Sequence, residues 1–239
     1  VGASGKVVVS IFVNPTQFGP NEDLDAYPRQ LEADLNECRK RGVDLVFAPK
    51  VDEMYFPDAT GEIQESRLSL GLCGGSRPGH FNGVCTVVAK LFNLTNPDVA
   101  IFGEKDYQQL AVIRRMVRDL DFPIDIVGGA TVRESDGLAM SSRNLYLTRE
   151  QREEAPIIYQ SICEVRDSIV NGELVNTKNA KLALAKKIEK SAHAKIDYLE
   201  VVDSDTLESL DEIDRSNFRI IVAVFFGKPR LIDNVGPAF

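Results

Sequence analysis

Apolar and polar positions alternate between two periods along the first half of the chain. Lys6 to Val13 (KVVVSIFV) is β-branched and apolar on both faces, which predicts a buried, parallel strand. Asn14-Pro15 ends it, because proline drives the preceding residue out of the helical region. Acidic and small residues lead to a helix over Tyr27 to Arg41. There Tyr27, Leu31, Leu35 and Cys38 share one face, and Gly42 supplies the stop. Val43 to Phe47 reads as a second strand, closed by Pro49. A looser stretch runs from Val51 to His80, rich in Gly and Pro towards its end. A helix over Phe81 to Asn96 places Val84, Val88, Leu91 and Thr95 together, and Asn96-Pro97 ends it. Val99 to Phe102 is the third strand. A helix over Asp106 to Leu120 turns Leu110, Ile113, Val117 and Leu120 inward, and Ile124 to Val127 is the fourth strand. Strands alternating with helices predict parallel crossover units and an α/β sheet.

After Arg133 the pattern changes. Thr148 and Gln151 form a capping box ahead of a helix face made by Ala155, Ile158, Ile162, Val165 and Ile169. Pro156 is costly inside a helix, so a kink or a fresh helix is expected there. A more basic helix follows over Asn179 to Ala192. Ile196 to Val202 and Phe218 to Gly227 read as strands, the second apolar on both faces. Helices followed by strands predict an α+β unit. The expected domains are residues 1–133 and the smaller 134–239.

Composition narrows the function classes. With 44% hydrophobic and 27% charged residues the chain has an ordinary globular balance. The longest unbroken apolar run is Ile220 to Phe226, whereas a spanning helix needs about 20 residues. A net charge of −8 argues against bulk binding to nucleic acid or acidic membranes, so an anionic ligand must be held by local bases. Cys38, Cys73, Cys85 and Cys163 lack metal or redox spacing and read as idle thiols of a reducing compartment. His80 and His193 are the only histidines, which excludes a His-rich metal site. No secretory leader is visible, and because the chain opens on Val rather than Met its start is expected to be missing.

Four segments could carry chemistry. Gly103-Glu104-Lys105-Asp106-Tyr107-Gln108-Gln109 lies where a strand ends and a helix begins, the position at which open α/β sheets bind ligands. Gly103 allows close backbone approach, Lys105 offers charge to a phosphate, Asp106 can cap the helix, and Gln109 can point back from one turn in. An ordinary capped helix fits the same residues. Asn14-Pro15-Thr16-Gln17-Phe18 follows another strand, and the Asn14 and Gln17 amides suit a small polar substrate or simply water. Arg77-Pro78-Gly79-His80-Phe81 offers an anion corner or a structural hydrogen-bond pair. Met140-Ser141-Ser142-Arg143-Asn144 offers two hydroxyls and a guanidinium for a polyphosphate, or a solvated loop. Arg114, Arg115 and Arg118 read as a solvated helix face. There is no G-x-G-x-x-G, no Walker motif and no zinc spacing.

VNPTQF, RPGHF, GEKDYQQ and GLAMSSRN, in this order, and the LIDN ending at Leu231 to Asn234 together resemble the pantoate–β-alanine ligase family across nearly the whole chain. The resemblance implies a Rossmann-like parallel sheet of the nucleotidyltransferase kind with a smaller C-terminal α+β domain, usually as a cytoplasmic homodimer. It implies a two-step ligation. ATP and pantoate give pantoyl adenylate and pyrophosphate, and the amine of β-alanine then displaces AMP, with Mg²⁺ accompanying the ATP. It assigns Gln17 and Gln109 to pantoate, Gln17 also to β-alanine, and Gly103, Glu104, Lys105 and Asp106 to ATP, with Lys105 on the phosphates. Val132 would border the adenine, and Met140, Ser141, Ser142 and Arg143 would form the mobile phosphate loop. Lys105, Arg143 and Asn14 are the expected catalytic groups, with Arg77 and His80 in support.

One departure carries an expectation of its own. The family's His-x-Gly-His segment, after its central first strand, does not occur in this sequence. Without that strand, Lys6–Val13 and Val99–Phe102 should lack a partner between them, and the missing piece should be separate, cleaved or lost. The corresponding alternative is a catalytically impaired, nucleotide-binding fragment.

Overall fold

The first strand, β1 (Val8–Ser10), pairs in parallel with β2 (Leu45–Phe47), Val9 opposite Val46. The computed structural model describes residues 5–20 and 22–237. Asp44 fixes the entry to this pair by accepting from the Val7 amide at 2.8 Å and the Lys6 ammonium at 2.8 Å. The chain divides into two compact units. One comprises residues 1–70, 74–100 and 112–125, and the other residues 71–73, 101–111 and 126–239.

In the first unit, α1 (Leu31–Lys40) lies between the two strands in sequence and ends at Gly42, whose φ of +71° is the left-handed turn that glycine tolerates best. The core is built from α4 (His80–Thr95) and the later turns of α5 (Tyr107–Asp119). Phe81, Val84, Cys85, Val88 and Phe92 are buried on α4, and Val112, Ile113, Met116 and Val117 on α5. Phe92 meets Phe122 edge to face at 5.7 Å. Burial pushes the Cys85 thiol up to about 11, and all four cysteines are free. The looser stretch after Pro49 holds the short helices α2 (Val51–Met54) and α3 (Leu72–Ser76).

Two apolar patterns are less buried than their sequence predicts. Val8 is 43% exposed and Leu31 44% exposed, and α1 contains no buried residue. The physical reason is coverage: among the described residues β1 has β2 as its one hydrogen-bonded neighbour, and nothing packs over the α1 face closely enough to bury a residue. Likewise β3 (Val99–Gly103) pairs only with β4 (Asp125–Gly129) among the described residues, leaving Ile101 72% exposed. Among the described residues these strands thus form two two-stranded sheets, β1–β2 and β3–β4, the first of them parallel. Leu120, expected inward, falls beyond the end of α5 and is exposed.

The second unit is a three-stranded antiparallel sheet in the order β5 (Ala194–Val202), β6 (Arg219–Phe226), β7 (Arg230–Val235), covered by helices. The apolar β6 is its central strand, which explains why both its faces are hydrophobic. Pro156 starts a fresh helix: α6 (Arg149–Glu154) carries the Thr148–Gln151 capping box, and α7 (Ile157–Val170) begins immediately after the proline. Ile158, Ile162, Val165 and Ile169 of α7 pack with Ala180, Leu184 and Ile188 of α8 (Thr177–Ile188) and with Val201, Ile220, Val222 and Val224 of the sheet. Burying each of the Val, Leu and Ile side chains among these is worth about 1.5–3 kcal/mol. Among the described residues no helix is long and apolar enough to cross a membrane.

Candidate active site

The candidate residues fall into two arms, one in each unit. In the first, a 3-10 turn over Pro15–Gln17 follows the end of β1 and is clamped onto the start of α4. Asn14, 2% exposed, donates through Nδ2 to the Gly83 carbonyl at 3.1 Å, and its Oδ1 accepts from the Thr16 amide at 3.3 Å. Gly83 matters because the turn lies against it: a Cβ there would sit 2.5 Å from the Thr16 carbonyl oxygen and 2.7 Å from the Gln17 nitrogen.

His80 and Arg77 complete the clamp. Arg77 donates from Nη2 to the Gln17 carbonyl at 3.2 Å, and His80 Nδ1 lies 2.8 Å from the same oxygen. Arg77 Nη1 lies 3.1 Å from His80 Nε2. A guanidinium only donates, so Nε2 accepts and Nδ1 carries the proton given to Gln17. Arg77 is itself held by a fork onto Glu22, with Nε to Oε1 at 2.7 Å and Nη2 to Oε2. Burial alone would raise the Glu22 carboxyl, but the Arg77 guanidinium outweighs it and holds the pKa below the usual value. Of the two readings open for this segment, these contacts describe the structural one: Arg77 and His80 are engaged with the chain that carries Gln17.

The second arm presents Lys105. Gly103 leads into a 3-10 turn over Glu104–Asp106 that runs directly into α5. A Cβ on Gly103 would meet nothing within 4 Å. Asn234 of β7, buried, donates through Nδ2 to the carbonyls of both Glu104 and Lys105 at 2.9 Å each, so the turn is pinned by its backbone. The Lys105 ammonium has no ion-pair partner among the described residues. The sequence predicts that Asp106 caps α5. It makes no side-chain hydrogen bond among the described residues, although it is the residue directly before α5. The half-buried Gln109 amide likewise has no partner there, whereas neighbouring Gln108, buried, bonds the Gly71 carbonyl and the Cys73 amide.

The serine loop is built on the same unit. Val132 and Met140 close its base through a 2.9 Å backbone bond, and both side chains are exposed. Arg133 reaches from this base to the buried Asp233 of β7 in a two-bond fork at 2.6 and 2.8 Å, and stacks 3.6 Å above the Tyr159 ring. Ser141 caps the following turn, Ser142–Tyr146, by accepting from the Arg143 amide at 3.2 Å. Asn144 donates to Glu134 and to the Ala139 carbonyl at 3.1 Å each, and Arg152 holds Glu134 and Asp136 at 2.6 Å each. A small cleft results, lined by Lys105, Leu138, Ala139, Ser141, Asn144 and Asp233, among others. It sets the Lys105 ammonium beside the Ser141 hydroxyl, two groups that can donate to a phosphate oxygen, while the Asn144 Nδ2 is already engaged with Glu134 and Ala139 and Asp233 is paired with Arg133. No group of three or more metal-ligating side chains occurs among the described residues.

Several of these supports were not singled out from sequence. Glu22, Tyr55 and Gly83 act on Gln17 or its neighbours across long stretches of chain, and Arg133, Asp233 and Asn234 act on Lys105 and the loop. The one local signal was LIDN itself, an acid and an amide inside an otherwise apolar strand.

Comparison with known proteins gives a single family. The sequence model described as Pantoate-beta-alanine ligase matches residues 2–236. The chain is similar to pantothenate synthetase of Clostridium novyi, 53% identical over 234 residues covering 98% of this chain and 82% of that protein. It is similar to the pantothenate synthetase of Clostridium acetobutylicum, 54% identical over 229 residues, 96% and 81% of the two chains. Among solved structures, pantothenate synthetase from Thermus thermophilus superposes with a TM-score of 0.91 at 48% identity, covering 97% of this chain and 83% of that one. A Francisella tularensis pantoate-beta-alanine ligase complexed with β-γ ATP and β-alanine superposes with a TM-score of 0.78 at 35% identity, covering 98% and 80%.

Proposed function

The chain belongs to the pantoate–β-alanine ligase family, and from that premise we infer that it carries out an ATP-dependent ligation. Pantoate attacks the α-phosphorus of ATP through a carboxylate oxygen, giving pantoyl adenylate and pyrophosphate. The β-alanine amine then adds to the activated carbonyl, loses a proton, and displaces AMP to leave pantothenate. Little covalent work falls to the protein, so positioning and charge neutralisation carry the rate.

Within this scheme Gln17 and Gln109 hold pantoate by neutral amides, which leave its carboxylate nucleophilic, and Gln17 also helps place β-alanine. Lys105 neutralises the phosphates. Arg143, Ser141 and Ser142 bind them from the loop, with Met140 beside them and Val132 bordering the adenine, while Gly103 and Glu104 line the nucleotide. Mg²⁺ typically binds one or two carboxylates plus substrate phosphates and keeps several waters. That habit fits this donor set, in which Glu104 and Asp106 are the carboxylates on the Lys105 turn. When bound, the ion would supply further neutralisation of phosphate charge. A cytoplasmic homodimer follows from the family resemblance, and the change of pattern after Arg133 assigns residues 1–133 to the nucleotide and pantoate domain and 134–239 to the smaller one that carries the loop.

The observation that carries the nucleotide assignment is Lys105: an ammonium without an ion-pair partner among the described residues, on a turn whose two carbonyls are pinned by buried Asn234. Exchange of labelled pyrophosphate into ATP tests it. Exchange dependent on pantoate, and lost in Lys105→Met, is expected; exchange supported equally by other hydroxy acids would overturn the substrate assignment. The alternative reading is nucleotide binding without turnover. Calorimetric ATP binding with no exchange would select it.

A further inference from the structure

Asn14 is saturated by its own chain in a way that fixes which end of the Gln17 amide faces outward. Two backbone groups that can each play one role settle the Asn14 orientation: the Thr16 N–H only donates, so it marks Oδ1, and the Gly83 carbonyl only accepts, so it marks Nδ2. Oδ1 collects two more donors, the Thr16 hydroxyl at 2.9 Å and the Tyr55 hydroxyl at 2.8 Å. Loading the amide oxygen polarises the amide and strengthens Nδ2–H as a donor. The remaining Nδ2 hydrogen points at Gln17 Oε1 at 3.4 Å. Because Asn14 offers hydrogen there, the Gln17 oxygen is the end turned inward. Its Nε2, with two N–H groups, has no partner among the described residues.

We propose that Tyr55 is a positioning residue which, through Asn14, presents Gln17 to the substrate as a hydrogen-bond donor. The inference rests on Gln17 holding pantoate. It adds a specificity rule: Gln17 meets an acceptor oxygen of the hydroxy acid and discriminates against an analogue with an amino group at that point, which would set donor against donor. Tyr55 is suited to this because it is half-buried, its hydroxyl turned onto Asn14 and its ring packed 6.4 Å from Phe12. Burial raises its pKa, so the hydroxyl keeps the proton it donates.

A double-mutant cycle on the intact enzyme tests the relay, with KM for pantoate, KM for ATP and kcat read separately. Tyr55→Phe removes one hydroxyl and should raise KM for pantoate about threefold to tenfold, the scale of one neutral hydrogen bond, with KM for ATP unchanged. In a Gln17→Ala background the same substitution should add nothing. If Tyr55→Phe raises KM for pantoate equally in both backgrounds, or shifts KM for ATP alike, its role is general structure and the relay is overturned. If Gln17→Ala raises KM for pantoate but Tyr55→Phe does not, the relay alone fails. If Gln17→Ala leaves that KM unchanged, the assignment of Gln17 to pantoate fails and takes the relay with it.

Discussion

The two units hold their candidate groups by different physics. Around β5–β7, the side chains of Ile158, Ile162, Ile169, Leu184 and Ile188 are fully enclosed, and Asp233 and Asn234 are polar residues set into that dense wall. Their hydrogen bonds to Arg133 and to the Lys105 turn are therefore fixed by packing behind them. Around β1–β2, the strands expose alternate apolar residues, and the buried mass lies in α4 and α5. There the Gln17 turn is located by individual bonds to α4 and by the close approach at Gly83. A dense core makes a polar group rigid as a consequence of packing, whereas a thin sheet needs a dedicated clamp.

Stability measurements can break this contrast most visibly. Ile162→Ala leaves a cavity in the dense unit and should cost about 2–5 kcal/mol. Leu31→Ala, on the uncovered face of α1, should stay within about 0.5 kcal/mol. Urea unfolding of both variants checks the difference, and equal losses would mean that the α1 face is covered in solution.

Activity sharpens it next. Lys105→Met removes an ammonium from a turn that stays pinned through its backbone, so folding should hold while the rate falls. Loss of one charged group aimed at developing phosphate charge is expected to cost about 10²–10³ in kcat. A fall of that size with an unchanged melting temperature supports a purely electrostatic role. An equal fall in thermal stability would show instead that the side chain helps to build the turn.

Gly83→Ala probes the clamp of the thinner unit. The added Cβ meets backbone, not a flexible side-chain end, so the Pro15–Gln17 turn must shift. The expected cost is about 1–3 kcal/mol, as for overpacking elsewhere, together with a raised KM for pantoate and little change in KM for ATP. An unaltered KM for pantoate would separate the turn from substrate binding.

What could be read from sequence follows the reach of each interaction. The α7 stripe, the Thr148–Gln151 box and the break at Pro156 are local signals, and each is found where the spacing puts it. Gln17, Lys105 and the serine loop could be nominated because strand ends and helix starts are themselves local features. Their supports were invisible because the partners are remote. Tyr55 meets Asn14 across 41 positions, Arg133 meets Asp233 across 100, and Asn234 meets Glu104 across 130. Apolar pattern misled at Val8 and Leu31, since periodicity reports which face is hydrophobic and not whether anything covers it.

The smallest expected effect comes from acid, and it bears on the clamp alone. Glu22 has a folded pKa below its ordinary value of 4.5 because of Arg77, so at moderately low pH the unfolded chain binds the extra proton. The Glu22–Arg77 pair therefore contributes fully above the unfolded pKa, and its contribution fades as pH falls through the depressed folded value. A partly exposed pair of this kind is worth less than about 1 kcal/mol. Glu22→Gln should lose that increment at neutral pH and match the wild type once the carboxyl is protonated, so the two stability curves should converge on the acid side of 4.5. Because Arg77 also holds the Gln17 carbonyl, KM for pantoate should rise in the wild type over the same interval and stay flat in Glu22→Gln. Parallel stability curves at every pH would show that Arg77 keeps its place without Glu22, leaving His80 and Gly83 to locate the turn.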